Sequence, residues 1–209
     1  TTHGFNGLKG KNKKYNYNSR DKSYDWGFGR QVIGETWRPK EGAGHYGSNH
    51  RFSTRMFVVP EQKDQPVMRG VKDMHAMAGA YSAVPIEGSV ILGKNQVLDS
   101  MKPDGKPLDN KPPSPCIWVR EYESKSGKKG RVFASTQGAS EDIVSEGYRR
   151  CILNGVFWCM GMESDIKADM NVDFVGPYQP TTFSFRGGRK NVKPSDLVGF
   201  ESPLLPEKK

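Results

Sequence analysis

The segment 141–160 constrains the fold more than any other part of the sequence, because its helical periodicity is the clearest in the chain. Its apolar residues recur at intervals of three and four, the spacing that gives a helix one apolar face. Glu141 and Asp142 suit the positive N-terminal end of a helix dipole. Ser140 is the predicted N-cap, and Gly161 is placed to end the helix. The sequence therefore predicts one strong amphipathic helix that packs against an apolar surface.

Several shorter runs are typical of β-strands. Residues 55–59 are mostly apolar and stop at Pro60, which cannot donate to a strand ladder. Residues 89–93 form a continuous apolar run between glycines, as in a strand covered on both faces. Residues 116–122 and 131–136 flank a stretch rich in Gly and Lys, which predicts an antiparallel hairpin with a basic tip. These few elements cannot cover both faces of an α/β sheet, so we expect the chain to be part of a larger domain.

Other segments are predicted to be loops or short elements. The stretch 1–24 has no period and is rich in Gly, Asn, Lys and Tyr, which predicts a basic loop, whereas 25–35 approximates the spacing of a short helix. Five prolines make 99–115 a surface loop. A length of 209 residues suits one domain. We place the domain at 1–164 and an extended C-terminal tail at 165–209.

Charge and composition limit the partners that the chain is expected to have. It has 32 Lys and Arg against 23 Asp and Glu, a net charge of +9. No apolar run approaches the roughly 18 residues that a membrane span needs, so no membrane partner is predicted. Lys and Tyr interleave with Asn at 13–18, an arrangement suited to single-stranded nucleic acid. Because no RRM, KH or zinc-finger pattern accompanies this run, nucleic-acid binding is the least favoured function.

The cysteines Cys116, Cys151 and Cys159 cannot form a closed disulfide set, since there are only three of them. Cys151 and Cys159 lie in the predicted helix, too far apart for the roughly 7 Å that a disulfide spans between Cα atoms. No Cys-x-x-Cys pattern indicates a zinc knuckle. We therefore expect three buried free thiols.

Long motifs, in one order along nearly the whole chain, resemble those of a known protein family. They are Gly-Arg-Gln-Val-Ile-Gly-Glu-Thr-Trp at 29–37, Gly-Lys-Asn-Gln-Val-Leu-Asp-Ser-Met-Lys-Pro-Asp at 93–104, Pro-Cys-Ile-Trp-Val-Arg-Glu-Tyr at 115–122, Gly-Ala-Ser-Glu-Asp at 138–142 and Asp-Phe-Val-Gly-Pro-Tyr-Gln-Pro at 173–180. With these residues the chain resembles the ThuA-like (trehalose-utilisation) domain proteins common in planctomycete-type bacteria. Several long motifs in order are far more specific than one short pattern.

The resemblance implies an α/β fold. Such domains are similar to class I glutamine amidotransferases and flavodoxins, with a mostly parallel sheet flanked by helices. The first half of these domains supplies several βα units. This chain, which opens with Thr-Thr-His-Gly-Phe, is therefore expected to be the C-terminal portion, with an antiparallel hairpin near its C-terminal side. The resemblance also implies a bacterial protein of carbohydrate metabolism, with a periplasmic, secreted or cytoplasmic location left open.

Three histidines are candidates for a functional site. The resemblance places His3 at the carboxyl end of a central strand, where open α/β sheets form a ligand crevice. His45 and His50 lie in a glycine-rich loop ahead of a predicted strand. We predict His3, His45 and Glu141 as catalytic residues and predict no cofactor. A divalent metal such as zinc, bound by His3, His45 and His50, is an alternative, because neutral imidazole is a zinc ligand.

A second group of candidates is expected to bind the ligand, and it consists of Arg55, Tyr81, Gln137, Gly138 and Ser140. Arg55 offers a forked donor to an anionic or hydroxylated ligand. Tyr81, like Trp37 and Trp118, is a candidate to stack on a sugar ring, the alternative being a place in the core. The last three join a predicted strand to the N-terminus of the strong helix, where exposed N–H groups favour a polar ligand.

These candidates lead to three hypotheses of function. The first is a sugar-processing enzyme whose crevice uses His3, His45 and Arg55. The second is a non-catalytic carbohydrate-binding or accessory module of the same fold, and the third is a basic single-strand nucleic-acid binder. Glu141 is either an acid/base group with Asp142 or an acid placed for the helix dipole. Two carboxylates facing a sugar favour catalysis, whereas an aromatic cleft without them favours binding alone.

Overall fold

The computed structural model describes residues 5–46, 52–124, 126–176, 178, 180, 191 and 193. Within these residues the strands are β1 (Gly44–His45), β2 (Thr54–Val58), β3 (Met74–Ala76), β4 (Tyr81–Ser82), β5 (Val90–Val97), β6 (Ser114–Glu123) and β7 (Lys129–Ser135), and the α-helix is α1 (Glu146–Cys159). Short 3-10 turns span Gly10–Tyr15, Pro39–Glu41, Pro60–Gln62, Pro66–Met68, Ser140–Val144 and Glu163–Asp165, and a π-helical turn spans Gly29–Ile33. No helix in this part of the chain is long and apolar enough to cross a membrane.

Five of the strands form one sheet in the order β3-β2-β5-β6-β7, and β1 pairs with β4 in a separate ribbon. Every described pair of strands is antiparallel. The connection from β6 to β7 is a short hairpin, which antiparallel strands permit and parallel strands do not. The chain is therefore a mixed α/β protein. The parallel, flavodoxin-like sheet implied by the resemblance is not shown by the described residues, because neighbouring strands run in opposite directions without helical crossovers.

Local patterns predicted the longer strands. The hairpin expected at 116–122 and 131–136 is confirmed as β6 and β7. The strands expected at 55–59 and 89–93 are present as β2 and β5, although β5 continues to Val97. The strands β1, β3 and β4 were not predicted, because two or three residues are too few to show a period.

The predicted helix at 141–160 is present but begins later than expected. Ser140–Val144 forms a 3-10 turn, and Ser145, not the predicted residue, is the N-cap of α1. The late start arises because the carboxylate of Asp142 bonds to the preceding backbone and holds this turn closed. Gly161 follows the helix with a φ of +75°, as its predicted role requires.

The main core lies between α1 and one face of the five-stranded sheet. Tyr148 and Cys151 of α1 are almost fully buried and pack against Leu92 of β5 and Ile117 of β6. Gly155 lets the helix approach closely, because a Cβ atom at that position would lie 2.5 Å from the ring of Phe133. The helix α1 therefore packs directly on the β6–β7 hairpin.

A second, smaller cluster lies apart from this core and involves Trp118 of β6 and Ala134 of β7. Ala83 belongs to the same cluster, and Ile33 packs against it. The indole Nε1 of Trp118 donates to the carbonyl of Ile33 at 2.8 Å. The N-terminal segment is thereby attached to the β6–β7 hairpin, far away in sequence.

The first part of the predicted tail, 165–209, packs on the domain. Ile166 and Val172 are 1% and 5% exposed. Arg149 donates from Nε to the carbonyl of Val172 at 2.9 Å, and Arg150 donates from Nη1 to the carbonyl of Met170 at 2.7 Å. The chain up to Val172 is therefore part of the packed structure.

The cysteines are free thiols, but they are not all buried. Cys116 and Cys151 are buried, as expected, whereas Cys159 at the end of α1 is exposed, so the prediction of three buried thiols is wrong for this residue. Burial raises the pKa of Cys151 to about 12, and burial also raises the pKa of Cys116 well above its ordinary value. Partial burial also raises the pKa of Cys159, and a hydrogen bond with the backbone of Phe133 and the charge of Arg131 oppose this shift.

We predict that a thiol reagent distinguishes these cysteines. At pH 8 the native protein should react with iodoacetamide at Cys159 about 100-fold faster than at Cys151 or Cys116, because the buried thiols are neither ionised nor accessible. Peptide mass spectrometry of timed samples measures each rate. In urea, all three cysteines should react at similar rates. Equal rates in the native protein would contradict the placement of Cys151 in the core.

Candidate functional site

A cavity of about 460 Å³ lies beside the second cluster, and we call it the first cavity. Its walls come from the segment around Glu35, the β1–β4 ribbon and the ends of β6 and β7. It is lined by aromatic and small polar residues, among them Phe5, Thr36, Trp37, Tyr81, Ser82, Trp118, Phe133, Ser135 and Thr136. The combination of apolar rings and hydroxyl groups is typical of a site for a small organic ligand.

Three rings form an aromatic cluster, and two of them, Trp37 and Tyr81, line this cavity. The β1–β4 ribbon pairs His45 with Tyr81, which places their rings 5.0 Å apart between centroids. Trp37 packs edge-on against both, at 4.8 Å from His45 and 6.1 Å from Tyr81. Trp37 and Tyr81 are half-buried, whereas His45 is exposed. The structure thus brings together a predicted catalytic residue, His45, and a predicted stacking residue, Tyr81.

Glu35 supplies a buried carboxylate to the wall of the first cavity. Its Oε1 accepts from Arg30 Nη1 at 3.2 Å, from the Thr36 N–H at 2.9 Å and from Arg38 Nε at 3.1 Å. Its Oε2 accepts from Arg38 Nη2 at 3.3 Å and from the Val84 N–H at 2.6 Å. Burial lowers the pKa of Arg30, and Glu35 opposes that shift. These bonds hold the cavity wall and occupy both oxygens of Glu35.

The strand end at the floor of the cavity is fixed by α1. The hydroxyl of Tyr148 donates to the carbonyl of Gln137 at 2.7 Å and lies 2.9 Å from Ser135 Oγ. Burial raises the pKa of Tyr148. The side chain of Gln137 accepts from the hydroxyl of Thr136 at 2.8 Å. Ser135 and Thr136 line the cavity, so Tyr148 of α1 fixes this part of its wall through Ser135 and Gln137.

Asp142 is bonded entirely to the backbone. It is 0% exposed, and its Oδ2 accepts from the N–H groups of Gly138 at 3.1 Å and Ala139 at 3.0 Å. Its Oδ1 accepts from the Ala78 N–H at 3.0 Å. The backbone donor of Gly138, predicted to serve a ligand, is therefore already bonded within the protein. Ser140 lies in the same turn, where its carbonyl accepts from the hydroxyl of Tyr178 at 2.5 Å.

Two predicted residues, Glu141 and Arg55, are associated with a second cavity of about 860 Å³ near the start of α1. Glu141 lines this cavity. Arg55 donates to the carbonyl of Pro103 at 2.5 Å and forms an ion pair with Asp73 at 3.6 Å, and both partners line the same cavity. The predicted site residues therefore divide between two cavities, with Tyr81 at the first and His45 packed against Tyr81.

His75 also lines the second cavity, although the sequence assigned it no role. It pairs across the sheet with Arg55, and its backbone N–H donates to Ser145 Oγ at 3.1 Å. Burial lowers the pKa of His75, and Asp73 opposes this shift. Its strand β3 has three residues, so no sequence pattern indicated that this histidine would lie here.

The predicted metal site is only partly within the described structure. His3 and His50 lie outside the described residues, and only His45 of the three histidines is placed. Among the residues that the structure describes, no group of three His, Cys, Asp or Glu side chains is arranged to hold a metal ion. Zinc binding by the three histidines stays a prediction.

The basic run predicted to suit nucleic acid forms the turn Gly10–Tyr15. Tyr15 packs edge-on against Tyr24, with centroids 4.9 Å apart. Lys14 Nζ lies 5.2 Å and 5.4 Å from the two ring centroids. These rings are engaged with each other and with a cation, and nucleic-acid binding by this run stays a prediction.

The fold and the first cavity define a mixed α/β protein with an aromatic-lined, hydroxyl-bearing cavity. Comparison of the chain with protein-family models, with curated proteins and with solved structures finds no match. Its function is therefore inferred from the chemistry of its own side chains.

Proposed function

We propose that this chain binds a sugar or glycoside in the first cavity, as a ThuA-like domain protein of carbohydrate metabolism. The observation that carries the proposal is the aromatic cluster of Trp37, His45 and Tyr81, in which Trp37 and Tyr81 line a cavity that also has hydroxyl-bearing residues in its walls. A sugar has apolar C–H faces, which pack on aromatic rings, and hydroxyl edges, which need hydrogen-bond partners. The cavity volume of about 460 Å³ is within the usual range for a small-molecule site.

The lining of the cavity favours an uncharged ligand group. Ser82, Ser135 and Thr136 carry hydroxyl groups in the cavity wall, bonded within the protein to Gly44, Tyr148 and Gln137. Because a hydroxyl has one donor and two acceptor positions, each can take a further bond from a sugar hydroxyl. Glu35 is the carboxylate among the lining residues, and its charge is balanced by Arg30 and Arg38. A neutral, hydroxylated ring therefore fits the walls better than a charged one.

Binding without catalysis is the simpler form of the proposal. Glycoside hydrolysis ordinarily uses two carboxylates on either side of the bond that breaks. At the first cavity, the described lining offers Glu35, whose two oxygens accept five hydrogen bonds from the protein. The alternative is a sugar-processing enzyme that uses His3, His45 and Glu141. Glu141 would then have to reach the bound sugar from the second cavity, which it lines.

The flavodoxin-like, amidotransferase-like architecture is part of the same proposal. It requires parallel βα units, which the described residues do not contain. The antiparallel hairpin and α1 would then form one side of that larger sheet. Support for it comes from the motif resemblance alone.

Titration with trehalose and with methyl α-glucoside tests the proposal. Because Trp37 and Trp118 line the cavity, a bound sugar should change the tryptophan fluorescence of the protein. The variants Trp37→Ala and Tyr81→Ala should each weaken binding at least about tenfold, since the loss of a stacking ring removes on the order of 1.4 kcal/mol. His45→Ala should weaken it to a smaller extent, because His45 is at the exposed side of the cluster.

The matched control is Tyr122→Ala on β6, outside the residues that line the first cavity. This variant should bind as the wild type does, and urea unfolding should show that all the variants are folded. Sugar affinities that are unchanged in Trp37→Ala and Tyr81→Ala would contradict the site. Strong binding of single-stranded DNA that weakens steeply with salt would instead support the nucleic-acid hypothesis.

A further inference from the structure

Arg120 on β6 is a half-buried arginine without a described acid partner. Its Nε and Nη1 atoms are shielded from solvent and have no hydrogen-bond partner among the described residues. Other arginines of the domain behave differently, since Arg30 and Arg38 bind Glu35, and Arg150 binds Glu146. A shielded guanidinium that lacks acceptors is costly and calls for a partner of opposite charge.

A second unbonded polar atom lies beside Arg120. Ser89 Oγ is also shielded from solvent and has no hydrogen-bond partner in the described part of the chain. Val90 pairs with Val119 across the sheet, so one further step along the two strands brings Ser89 opposite Arg120. Two buried donors that both lack acceptors therefore occur side by side.

The packing around Gly34 confirms that these groups are neighbours. A Cβ atom at Gly34 would lie 3.0 Å from Ser89 Oγ and 3.2 Å from Arg120 Cδ. It would also lie 3.1 Å from Trp118 Nε1, whose proton is already donated to Ile33. Gly34 has a φ of +102°, a left-handed conformation that favours glycine. Because glycine has no side chain, the backbone can pass this close to the three groups. The site is therefore next to Trp118, one wall of the first cavity.

The local charge is positive. Burial and then the nearby charge of Arg30 lower the pKa of Arg120, and no carboxylate in the described part of the chain opposes either effect. Arg30 itself is engaged through Nη1 with the carbonyl of Val84 and with Glu35. Arg120 and Ser89 therefore lie in a positive environment, and their donors have no acceptor among the described residues.

We propose that Arg120 and Ser89 bind an oxyanion, the phosphate or carboxylate group of a small ligand, with Arg30 adding favourable charge. The guanidinium offers its unbonded Nε and Nη1 donors, and the Ser89 hydroxyl offers a third. The site lies next to the first cavity but uses none of the residues of its aromatic cluster. It does not depend on the sugar proposal.

Calorimetric titration of the protein with sodium phosphate and, separately, with sodium acetate tests the site, at one ionic strength set with sodium chloride. The wild type should bind at least one of them saturably, and the stronger of the two identifies the kind of oxyanion. Arg120→Gln should weaken binding at least tenfold, and Ser89→Ala should weaken it several-fold. The control Arg20→Gln changes an arginine whose side chain is 66% exposed and should leave the affinity unchanged.

Two binding results would overturn the proposal. One is the absence of saturable binding of both anions to the wild type, and the other is equal binding by Arg120→Gln and the wild type.

Urea unfolding without added anion provides a second measurement. Arg120→Gln should be at least as stable as the wild type there, because the shielded guanidinium has no acceptor to lose. A lowered urea midpoint would show that the chain itself supplies the acceptor and would also overturn the proposal. Trehalose binding should be unchanged in Arg120→Gln, so this test and the sugar test fail independently.

Discussion

Glu35→Ala is expected to lower the free energy of unfolding by about 3–5 kcal/mol, because it leaves buried charge without a partner. Glu35 is 7% exposed, and Arg38, which it binds through two nitrogens, is 6% exposed. The substitution also removes the acceptor for the N–H groups of Thr36 and Val84. Urea unfolding followed by circular dichroism measures the change.

Glu41→Ala is the matched control for this prediction. Glu41 also binds Arg38, but its side chain is 43% exposed, so its loss should cost less than about 1 kcal/mol. Glu35→Gln provides a second comparison, since it keeps the shape and one acceptor oxygen while removing the charge. Similar losses in Glu35→Ala and Glu41→Ala would show that the buried network does not hold the cavity wall.

Asp142→Ala is expected to destabilise the protein by about 3 kcal/mol, since three backbone N–H groups lose their acceptor in a buried place. Those groups belong to Ala78, Gly138 and Ala139, and the carboxylate that binds them is 0% exposed. The bonds tie the turn before α1 to the segment that follows β3. Thermal and urea unfolding should both record the loss.

Asp64→Ala is a suitable control for this second prediction, because Asp64 is an exposed residue. Its replacement should change the free energy of unfolding by less than about 0.5 kcal/mol. Asp142→Asn should be intermediate, because one amide oxygen still accepts while the NH₂ group faces a backbone donor. If Asp142→Ala were as stable as Asp64→Ala, the carboxylate would not be needed to close the turn.

The parts of the fold that could be predicted are those with long local patterns. The helical spacing at 141–160 and the two apolar runs of the hairpin each extend over enough residues to show a period, and α1, β6 and β7 are present. The parallel sheet came from the motif resemblance, and strand direction depends on partners that local periodicity does not report. The start of α1 was misplaced because the bonds of Asp142 to the backbone cannot be read from residue spacing.

Less of the candidate site could be predicted, because its walls come from distant parts of the sequence. Tyr81 and His45 were expected to serve a ligand, and the structure places Tyr81 in the wall of the first cavity and pairs His45 with it through a ribbon of two-residue strands. Glu35 was not predicted, because residue spacing does not show that Arg30 and Arg38 bind its carboxylate. Arg120 was missed too, because its distinguishing property is the lack of a described acceptor, which only packing reveals.

Arg149 and Arg150 of α1 donate to the carbonyl groups of Val172 and Met170, so the folded domain continues past residue 164. A boundary at 164 separates these acceptors, and the buried Ile166, from the helix that they cover. Two guanidinium groups of α1 would then lose their acceptors, and an apolar contact would open to water. The residues from 165 to 173 are therefore as much a part of the domain as α1, and the contact continues at Phe174, whose ring lies 4.2 Å from the Arg149 guanidinium.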